Sequence, residues 1–364
     1  MLGATSQHLM NPRSHWMITK LPLDAACIGE EHTISDAIRC IDAGGGLIAL
    51  VLSIEGHLRG TVTDGDVRRG LLRGIALDAP VTTIMNRKPR SMHCGASDQQ
   101  LLSALRQEGV LQMPLVDDGE RVVELIVSRA TGGVPDRENP VIIMAGGLGT
   151  RLRPITETIP KPMIEVAGRP ILETIIERFR EQGFRSITLC VNYLAEVIED
   201  HFGDGTRHGV HINYVREEKR LGTAGALSLL KNQSSLPMIV INGDILTEIN
   251  FNQFIAFHSD SKALATMGLN RYQYKVPYGV VEVEGHQILS FSEKPTLDFF
   301  VNAGIYIIDP VVLEYLPYDE FFDMPALFTK VEPKRRAAFP IHEYWLDIGQ
   351  HGDLARAREQ DREK

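Results

Sequence analysis

The chain has 364 residues, beyond the roughly 250 to 300 at which one hydrophobic core stops growing, so two domains are expected. A composition that is 43% hydrophobic and 23% charged, with 32 glycines and 19 prolines, excludes a disordered or collagen-like chain. The net charge of −9 excludes a global pull toward nucleic acid or anionic membrane, so a phosphate-bearing ligand has to be met by local positive groups.

The first twenty residues carry Gln7, His8, Asn11 and Arg13 where a signal peptide would be apolar, and no run approaches the roughly 18 to 20 apolar residues of a membrane span. A cytoplasmic protein is expected. Cys27, Cys40, Cys94 and Cys190 form no CxxC pair, and they are expected as reduced, buried thiols rather than a disulfide frame or zinc site.

A weak repeat follows, with units about 65 residues apart. Unit one has a helix signal from Ser35 to Ile41, an apolar strand from Leu47 to Leu52, a turn at Glu55-Gly56, and Gly60-Thr-Val-Thr-Asp-Gly-Asp66 opening a second helix. Gly44-Gly45-Gly46 reads as the turn out of the first helix. Unit two has Asp98 to Arg106, Met113 to Val116, a turn at Asp117-Asp118-Gly119, and Leu125 to Ser128. This βαββα order resembles a pair of cystathionine-β-synthase (CBS) domains, an α+β module that commonly binds adenine nucleotides. The resemblance implies a nucleotide contacted by Thr63 and Asp66, and a homo-oligomer built by packing such pairs across a two-fold axis. Unit two departs from the pattern, with Ser128 at the Thr position and Thr131 at the Asp position, so one good site is implied. Asp64 or Asp66 reads equally well as a helix cap.

Thr131 to Pro140 (TGGVPDRENP) collects linker and turn residues, which places the domains at 1–135 and 140–364. Val141 to Ala145 is a continuous apolar run ending in glycines, as a buried parallel strand does. Pro170 to Gly183 follows as a helix with Ile171, Leu172, Ile175, Ile176 and Phe179 on one face. Ser186 to Val191, Leu194 to Phe202 and Met238 to Ile241 continue as strand, helix and strand. Strands separated by helices argue a doubly wound α/β layer with ligands at the strand C-termini.

The densest motif is Ala145-Gly-Gly-Leu-Gly-Thr-Arg-Leu-Arg-Pro154 with Pro160-Lys-Pro-Met163. Glycines after a buried strand bring backbone N–H groups close to a phosphate chain, and Arg151 and Lys161 add cations. Neither a Walker P-loop nor a GxGxxG fingerprint is present. The string resembles the signature of sugar-1-phosphate nucleotidyltransferases, and the resemblance extends from Pro140 to about Leu354. It implies a Rossmann-like, GT-A-like domain that joins a nucleoside triphosphate to a sugar 1-phosphate and releases pyrophosphate.

On that resemblance Ala145, Gly146, Gly147, Gly149, Thr150, Glu218, Gly222 and Thr223 meet the nucleotide, the last two in Leu221-Gly-Thr-Ala-Gly-Ala226. Tyr278, Gly279, Glu293, Lys294 and Asn302 meet the sugar and its phosphate. Arg151 and Lys161 act on the phosphates. Asp244, in Asn242-Gly-Asp244, and Asp347, in Trp345-Leu-Asp-Ile-Gly349, hold Mg²⁺ although about 100 residues apart. Each aspartate taken alone reads as a strand-end cap. The mechanism implied is in-line attack by the sugar phosphate on the α-phosphorus, with no protein nucleophile.

Three features are discounted. His201, His208 and His211 fit no helix face, Gly44 to Gly46 is a turn, and the basic stretch Lys330 to Arg336 is a solvated surface. About 17 residues follow Asp347, too few for the C-terminal β-helix of some relatives. The Leu221 loop with Glu217-Glu218 looks most like the guanylyl-transferring, mannose-1-phosphate branch, and a CBS pair joined to such a domain resembles enzymes making GDP-glucosamine for legionaminic acid. Uridylyl, cytidylyl or thymidylyl transfer, and a nucleotide sensor without turnover, are the alternatives; the presence of both metal carboxylates disfavours the sensor. The CBS ligand is expected to be an adenine or guanine nucleotide.

Overall fold

A computed structural model describes residues 16–44, 48–108, 110–130, 135–230 and 234–362. The chain divides into two units, Met1–Gly133 and Val134–Lys364. Gly45, Gly46, Leu47, residues 131–134 of the glycine-rich linker and residues 1–15 lie outside the described residues.

In the first unit β1 (Trp16–Leu21) precedes two copies of one β-α-β-β order. The first copy is β2 (Cys27–Gly29), α1 (Ile34–Ala43), β3 (Ile48–Leu52) and β4 (Leu58–Thr63), followed by α2 (Asp64–Leu72). The second is β5 (Met92–His93), α3 (Asp98–Glu108), β6 (Gln112–Val116) and β7 (Val122–Ala130). In both copies the first strand is parallel to the second and the second antiparallel to the third. Only the first copy continues into a helix among the described residues. In the second, β7 stays extended through Ser128 to Ala130 because β1 pairs with it along that length.

Both helices of the first copy begin with a capping box. Thr33 and Thr63 each accept the backbone N–H three residues on, and Asp36 and Asp66 each accept the N–H of the capping threonine at 2.8 and 2.9 Å. Asp66 also binds Thr63 Oγ1 and the Arg69 guanidinium, at 2.7 and 2.6 Å. The cap and the surface it presents therefore coincide: Thr63 and Asp66 border an open groove with Thr61, Arg69, Arg73 and Asn86.

The second unit starts with β8 (Val141–Met144), a short hairpin β9 (Glu165–Val166) and β10 (Arg169–Pro170), α4 (Ile171–Glu181), β11 (Ser186–Val191), α5 (Ala195–Phe202) and β12 (His211–Arg216). There follow α6 (Gly222–Gly225), β13 (Met238–Asn242), β14 (Ile245–Thr247), α7 (Phe251–Asp260), β15 (Ala265–Lys275), β16 (Gly279–Glu284), β17 (Gln287–Glu293) and β18 (Thr296–Ile308). The unit ends with α8 (Met324–Lys330), β19 (Arg336–Ile341), β20 (Trp345–Asp347) and α9 (His351–Arg362).

Seven strands form one sheet in the order β12-β11-β8-β13-β18-β15-β19. All neighbours are parallel except those of β18, which runs against β13 and β15. Alternation along β8 sends Val141 and Ile143 to one core and Ile142 to the other. On the first side the apolar stripe of α4, from Ile171 to Phe179, is fully buried, with Phe179 stacked on Phe251 at 4.1 Å. On the second side Val240 and Tyr306 pack with Leu227, Leu327 and Phe328. From β8 the chain moves outward to β11 and β12 on one side and returns to β13 on the other. That reversal opens a crevice at the C-terminal ends of β8 and β13, where an open α/β sheet binds ligands.

His258 on α7 is 2% exposed, and its Nδ1 lies 2.7 Å from Thr266 Oγ1 on β15. Burial pushes its pKa down to about 4, against a weaker upward pull from Asp309. The unfolded chain binds this proton near pH 6.5 and the folded chain only near 4, so stability is intact above pH 6.5 and declines as pH falls toward 4. The loss across this window is on the order of 3 kcal/mol. Urea midpoints of the wild type and His258→Gln, measured from pH 7.5 to 4, should converge as the pH falls, and a constant gap would overturn the assignment.

The cysteines are free, but only Cys190 is buried. Cys27 and Cys40 are partly buried, and Cys94 is exposed in the turn after β5, so the expectation of four buried thiols is corrected. Among the described residues no helix is long and apolar enough to cross a membrane. His201 pairs with Glu173 at 3.1 Å and its ring neighbours His208.

Candidate active site

The glycine loop follows β8 directly. Ala145 is buried, and its N–H donates to Cys190 O at 2.8 Å, which anchors the start of the loop. Gly149 has φ +61°, and a Cβ there would stand 2.8 Å from Thr156 Cγ2. A Cβ on Gly146 would lie 2.9 Å from Glu217 Oε1, whereas one on Gly147 would meet nothing within 4 Å and would fill the crevice instead. Thr150, Arg151 and Leu152 form a 3₁₀ turn that buries Leu152 and leaves Arg151 exposed. Lys161, held between Pro160 and Pro162 on a second 3₁₀ turn, is only 8% exposed.

The carboxylates arrive from β13 and β20. Gly243 N–H donates to Met144 O at 2.9 Å, which ties the end of β13 to the end of β8. The short β14 pairs antiparallel with β20, setting Ile245 opposite Asp347, and Ile348 N–H donates to Asp244 O at 3.0 Å. Asp244 and Asp347 thus become neighbours through two short strands. The Lys161 ammonium forms an ion pair with Asp244 Oδ2.

One oxygen of each carboxylate, Asp244 Oδ1 and Asp347 Oδ1, is buried without a hydrogen-bond partner among the described residues. Burial raises the pKa of Asp347, the Asp244 charge raises it further, and Lys161 and Arg151 oppose the shift. Buried polar atoms are nearly always satisfied. Neighbouring carboxylates, each with an oxygen lacking a partner, are the kind of donor a hard divalent cation takes.

The facing wall comes from the segment after β12. Glu217 Oε2 accepts the Leu221 N–H at 3.0 Å, and burial raises its pKa against that hydrogen bond. Glu217 lines the crevice and Glu218 does not; Glu218 faces a separate cavity with Arg216 and Tyr318. The sequence reading selected Glu218, and it is its neighbour that lines the crevice. Consecutive residues leaving a strand project to opposite sides, and Glu217 N–H donating to Val191 O, with Asn192 Nδ2 donating to Glu217 O, fixes which one turns inward.

The loop at α6 owes its glycines to close packing. A Cβ on Gly225 would stand 2.4 Å from Glu320 O, and Gly222 has φ +79° with Asp323 Oδ1 2.7 Å from where its Cβ would be. Thr223 N–H donates to Asp323 Oδ1 at 3.2 Å, and its hydroxyl accepts the Met324 N–H at 2.9 Å.

The crevice measures about 360 Å³. It gathers Gly146, Gly147, Gly149, Thr150, Arg151, Lys161, Gly222, Thr223 and Asp244, with Asp347 beside them. Glu217, Arg220, Asn242 and Asp323 also line it and were not selected from the sequence. Glu217 and Asn242 adjoin selected residues, while Asp323 lies in no recognisable motif.

The five residues expected on the sugar side are not among its lining residues. Tyr278, Gly279, Glu293 and Lys294 sit on the β16–β17 hairpin, which is exposed along its length. Asn302 donates to Tyr306 Oη at 2.8 Å and accepts the Gly304 N–H at 3.0 Å, so both ends of its amide serve the turn at 302–304.

A family model described as nucleotidyl transferase matches residues 140–364. The UTP–glucose-1-phosphate uridylyltransferase of Synechocystis sp. is 35% identical over 238 residues, which cover 59% of this chain and 61% of that protein. The mannose-1-phosphate guanylyltransferase catalytic subunit beta of Drosophila melanogaster is 34% identical over 221 residues, 58% of this chain and 60% of that protein. The chain therefore spans about three fifths of the length of these curated relatives. Among solved structures, HddC from Yersinia pseudotuberculosis is 30% identical with a TM-score of 0.50, covering 61% of this chain and 99% of that one. A putative glucose-1-phosphate thymidylyltransferase from Bacillus anthracis shares the fold at 23% identity and TM-score 0.50, covering 62% of this chain and 96% of that one. With the glycine loop, the paired cations and the two carboxylates all inside a family match that covers more than half its length, the chain belongs to the nucleotidyl transferase family.

Proposed function

We propose that the protein transfers a nucleotidyl group from a nucleoside triphosphate to a hexose or hexosamine 1-phosphate. A phosphate oxygen of the sugar 1-phosphate forms a bond to the α-phosphorus, the bond from that phosphorus to the β-phosphate bridging oxygen breaks, and pyrophosphate leaves. The observation that carries this reading is the pair of buried, partnerless oxygens of Asp244 and Asp347 beside a glycine loop and two cations.

The attacking phosphate is ionised at neutral pH, so the protein has to align two polyanions and offset their charge. Gly147 leaves room for the triphosphate, and N–H groups of the loop would donate to it. Arg151 offers a forked donor to the departing pyrophosphate, and Lys161 a point charge near the α-phosphoryl group. Asp244 and Asp347 would hold Mg²⁺, which when bound neutralises phosphate oxygens at the reacting centre. Glu293 and Lys294, at the end of the exposed hairpin, carry the carboxylate and the ammonium that sugar hydroxyls and the sugar phosphate would take.

GTP is the preferred donor in this proposal. The N1–H and N2–H₂ groups of guanine are donors, and the Glu217 carboxylate is an acceptor in the wall of the crevice. The first unit is proposed as a CBS-type regulatory pair that takes an adenine or guanine nucleotide in the groove bordered by Thr63, Asp66, Arg69 and Arg73.

Pyrophosphate release measured for GTP, UTP, CTP, dTTP and ATP, each with Mg²⁺ and a panel of sugar 1-phosphates, tests the reading. GTP with a mannose- or glucosamine-type acceptor should exceed the other donors by at least about tenfold, the discrimination that about 1.4 kcal/mol gives. Silence with every donor, despite tight nucleotide-sugar binding, would replace transfer with sensing.

A further inference from the structure

The segment from Glu217 to Leu221 runs between two cavities, and its residues divide between them. Glu217 lines the crevice, where its Oε2 accepts the Leu221 N–H at 3.0 Å. Glu218 lines the separate cavity. Lys219 pairs at 2.8 Å with Asp319, which lines that same cavity. Arg220 lines the crevice again. Glu217 and Arg220, opposite in charge, thus return to one wall of the crevice.

Other charged neighbours in this unit pair off, as Arg216 does with Glu199 at 2.7 Å. Arg220 is exposed and forms no ion pair or hydrogen bond among the described residues. The Leu221 N–H is the one group bonded to the Glu217 carboxylate among the described residues. A forked donor and a carboxylate oxygen are therefore both open to a ligand.

Phosphate is a poor match for this wall, because an anion beside Arg220 also lies beside the Glu217 charge. The triphosphate already has Arg151 and Lys161 at the glycine loop. A neutral base carries no such penalty, and bases differ in how they fit a forked donor next to an acceptor. Guanine presents two acceptors side by side, O6 and N7, and beside them two donors, N1–H and the 2-amino group. Arginine across O6 and N7 is the commonest specific protein contact to guanine. Uracil and thymine offer half of that set, O4 and N3–H. Adenine turns the 6-position into a donor, which would face the cation.

We infer that Arg220 reads the base, donating to O6 and N7 of guanine while Glu217 accepts from N1–H and the 2-amino group. The inference rests on GTP as the donor, which was proposed from Glu217 alone, and adds a contact to guanine's other edge. Arg220 takes no part in making or breaking bonds at the α-phosphorus.

Modified nucleotides test the contact. 7-Deaza-GTP lacks the N7 acceptor and ITP lacks the 2-amino group. Each, with GTP and UTP, is titrated calorimetrically in the presence of Mg²⁺ into the wild type and Arg220→Ala, and pyrophosphate release is measured alongside. The wild type should bind GTP about tenfold more tightly than 7-deaza-GTP, the effect of one charge-assisted hydrogen bond. In Arg220→Ala these two should bind equally, while the ratio of GTP to ITP, which reports on Glu217, stays at the wild-type value. At saturating GTP, kcat should stay within about threefold, because the contact is the same before and during reaction.

An equal loss for GTP, 7-deaza-GTP and UTP would place Arg220 on the phosphates and overturn the inference. A wild type that binds GTP and 7-deaza-GTP alike overturns it too. Preferential turnover of another donor by the wild type would reject both the base contact and GTP while leaving transfer in place. The expected binding pattern without any pyrophosphate release would keep the base contact and reject the transferase.

Discussion

Replacing Asp244 by Asn is expected to lower kcat/KM for pyrophosphate release by about a thousandfold, or about 4 kcal/mol of transition-state stabilisation. The substitution preserves size and the end of β13 but removes the charge that faces both Lys161 and Asp347. Lys161 still has Asp347 nearby, so the fold should survive with an unchanged far-ultraviolet spectrum. Magnesium distinguishes a site residue from a structural one. With GTP present, the wild-type thermal midpoint should rise further on adding Mg²⁺, as expected of a ligand that binds only the folded chain, and that of Asp244→Asn should not. Near-normal Mg²⁺-dependent turnover in the variant would remove Asp244 from the mechanism.

Arg151 gives the second large effect. Its guanidinium projects from the 3₁₀ turn after Gly149 and passes within 3.5 Å of the position a Cβ on Gly349 would occupy, so it links the glycine loop to the Asp347 segment. Arg151→Ala should lower kcat by about a thousandfold, in the range of losing a preorganised donor to developing charge. Arg151→Lys should still lose about a hundredfold, because one ammonium cannot reproduce a planar fork on two phosphate oxygens. The effect should appear in kcat more than in KM for the nucleotide. Steady-state kinetics decides the point, and an Arg151→Lys enzyme within twofold of the wild type would reduce the residue to a generic surface cation.

Much of the second unit was legible because its signals are local. The apolar run at Val141 and the stripe from Ile171 to Phe179 announce a buried strand and its covering helix, and both lie there. The glycine loop was legible for the same reason, since φ at Gly149 and the space around Gly147 are properties of a few adjacent residues. What was not legible depends on partners distant in sequence. Nothing near Asp323 indicates that it receives the Thr223 N–H 100 residues away. The choice between Glu217 and Glu218 turns on backbone bonds to Val191 and Asn192. The segment from Arg271 to Val301 carries the residue types expected of a sugar site, but their spacing does not disclose that they lie on exposed paired strands. Thr63 and Asp66 were read as ligands, with Asp64 or Asp66 as the alternative cap; the mutual hydrogen bonds of Thr63 and Asp66 form the cap, and their place on a groove leaves the other role as a proposal.

The ion pair between Lys161 and Asp244 gives the resting protein an internal counter-ion. While the ammonium occupies one side of the carboxylate, an arriving cation meets a donor whose charge is already partly compensated, so metal alone should bind weakly. An incoming triphosphate offers the ammonium a new partner and releases that side of Asp244. Nucleotide and metal should therefore load together rather than in succession, which protects the empty crevice from capture by stray divalent ions.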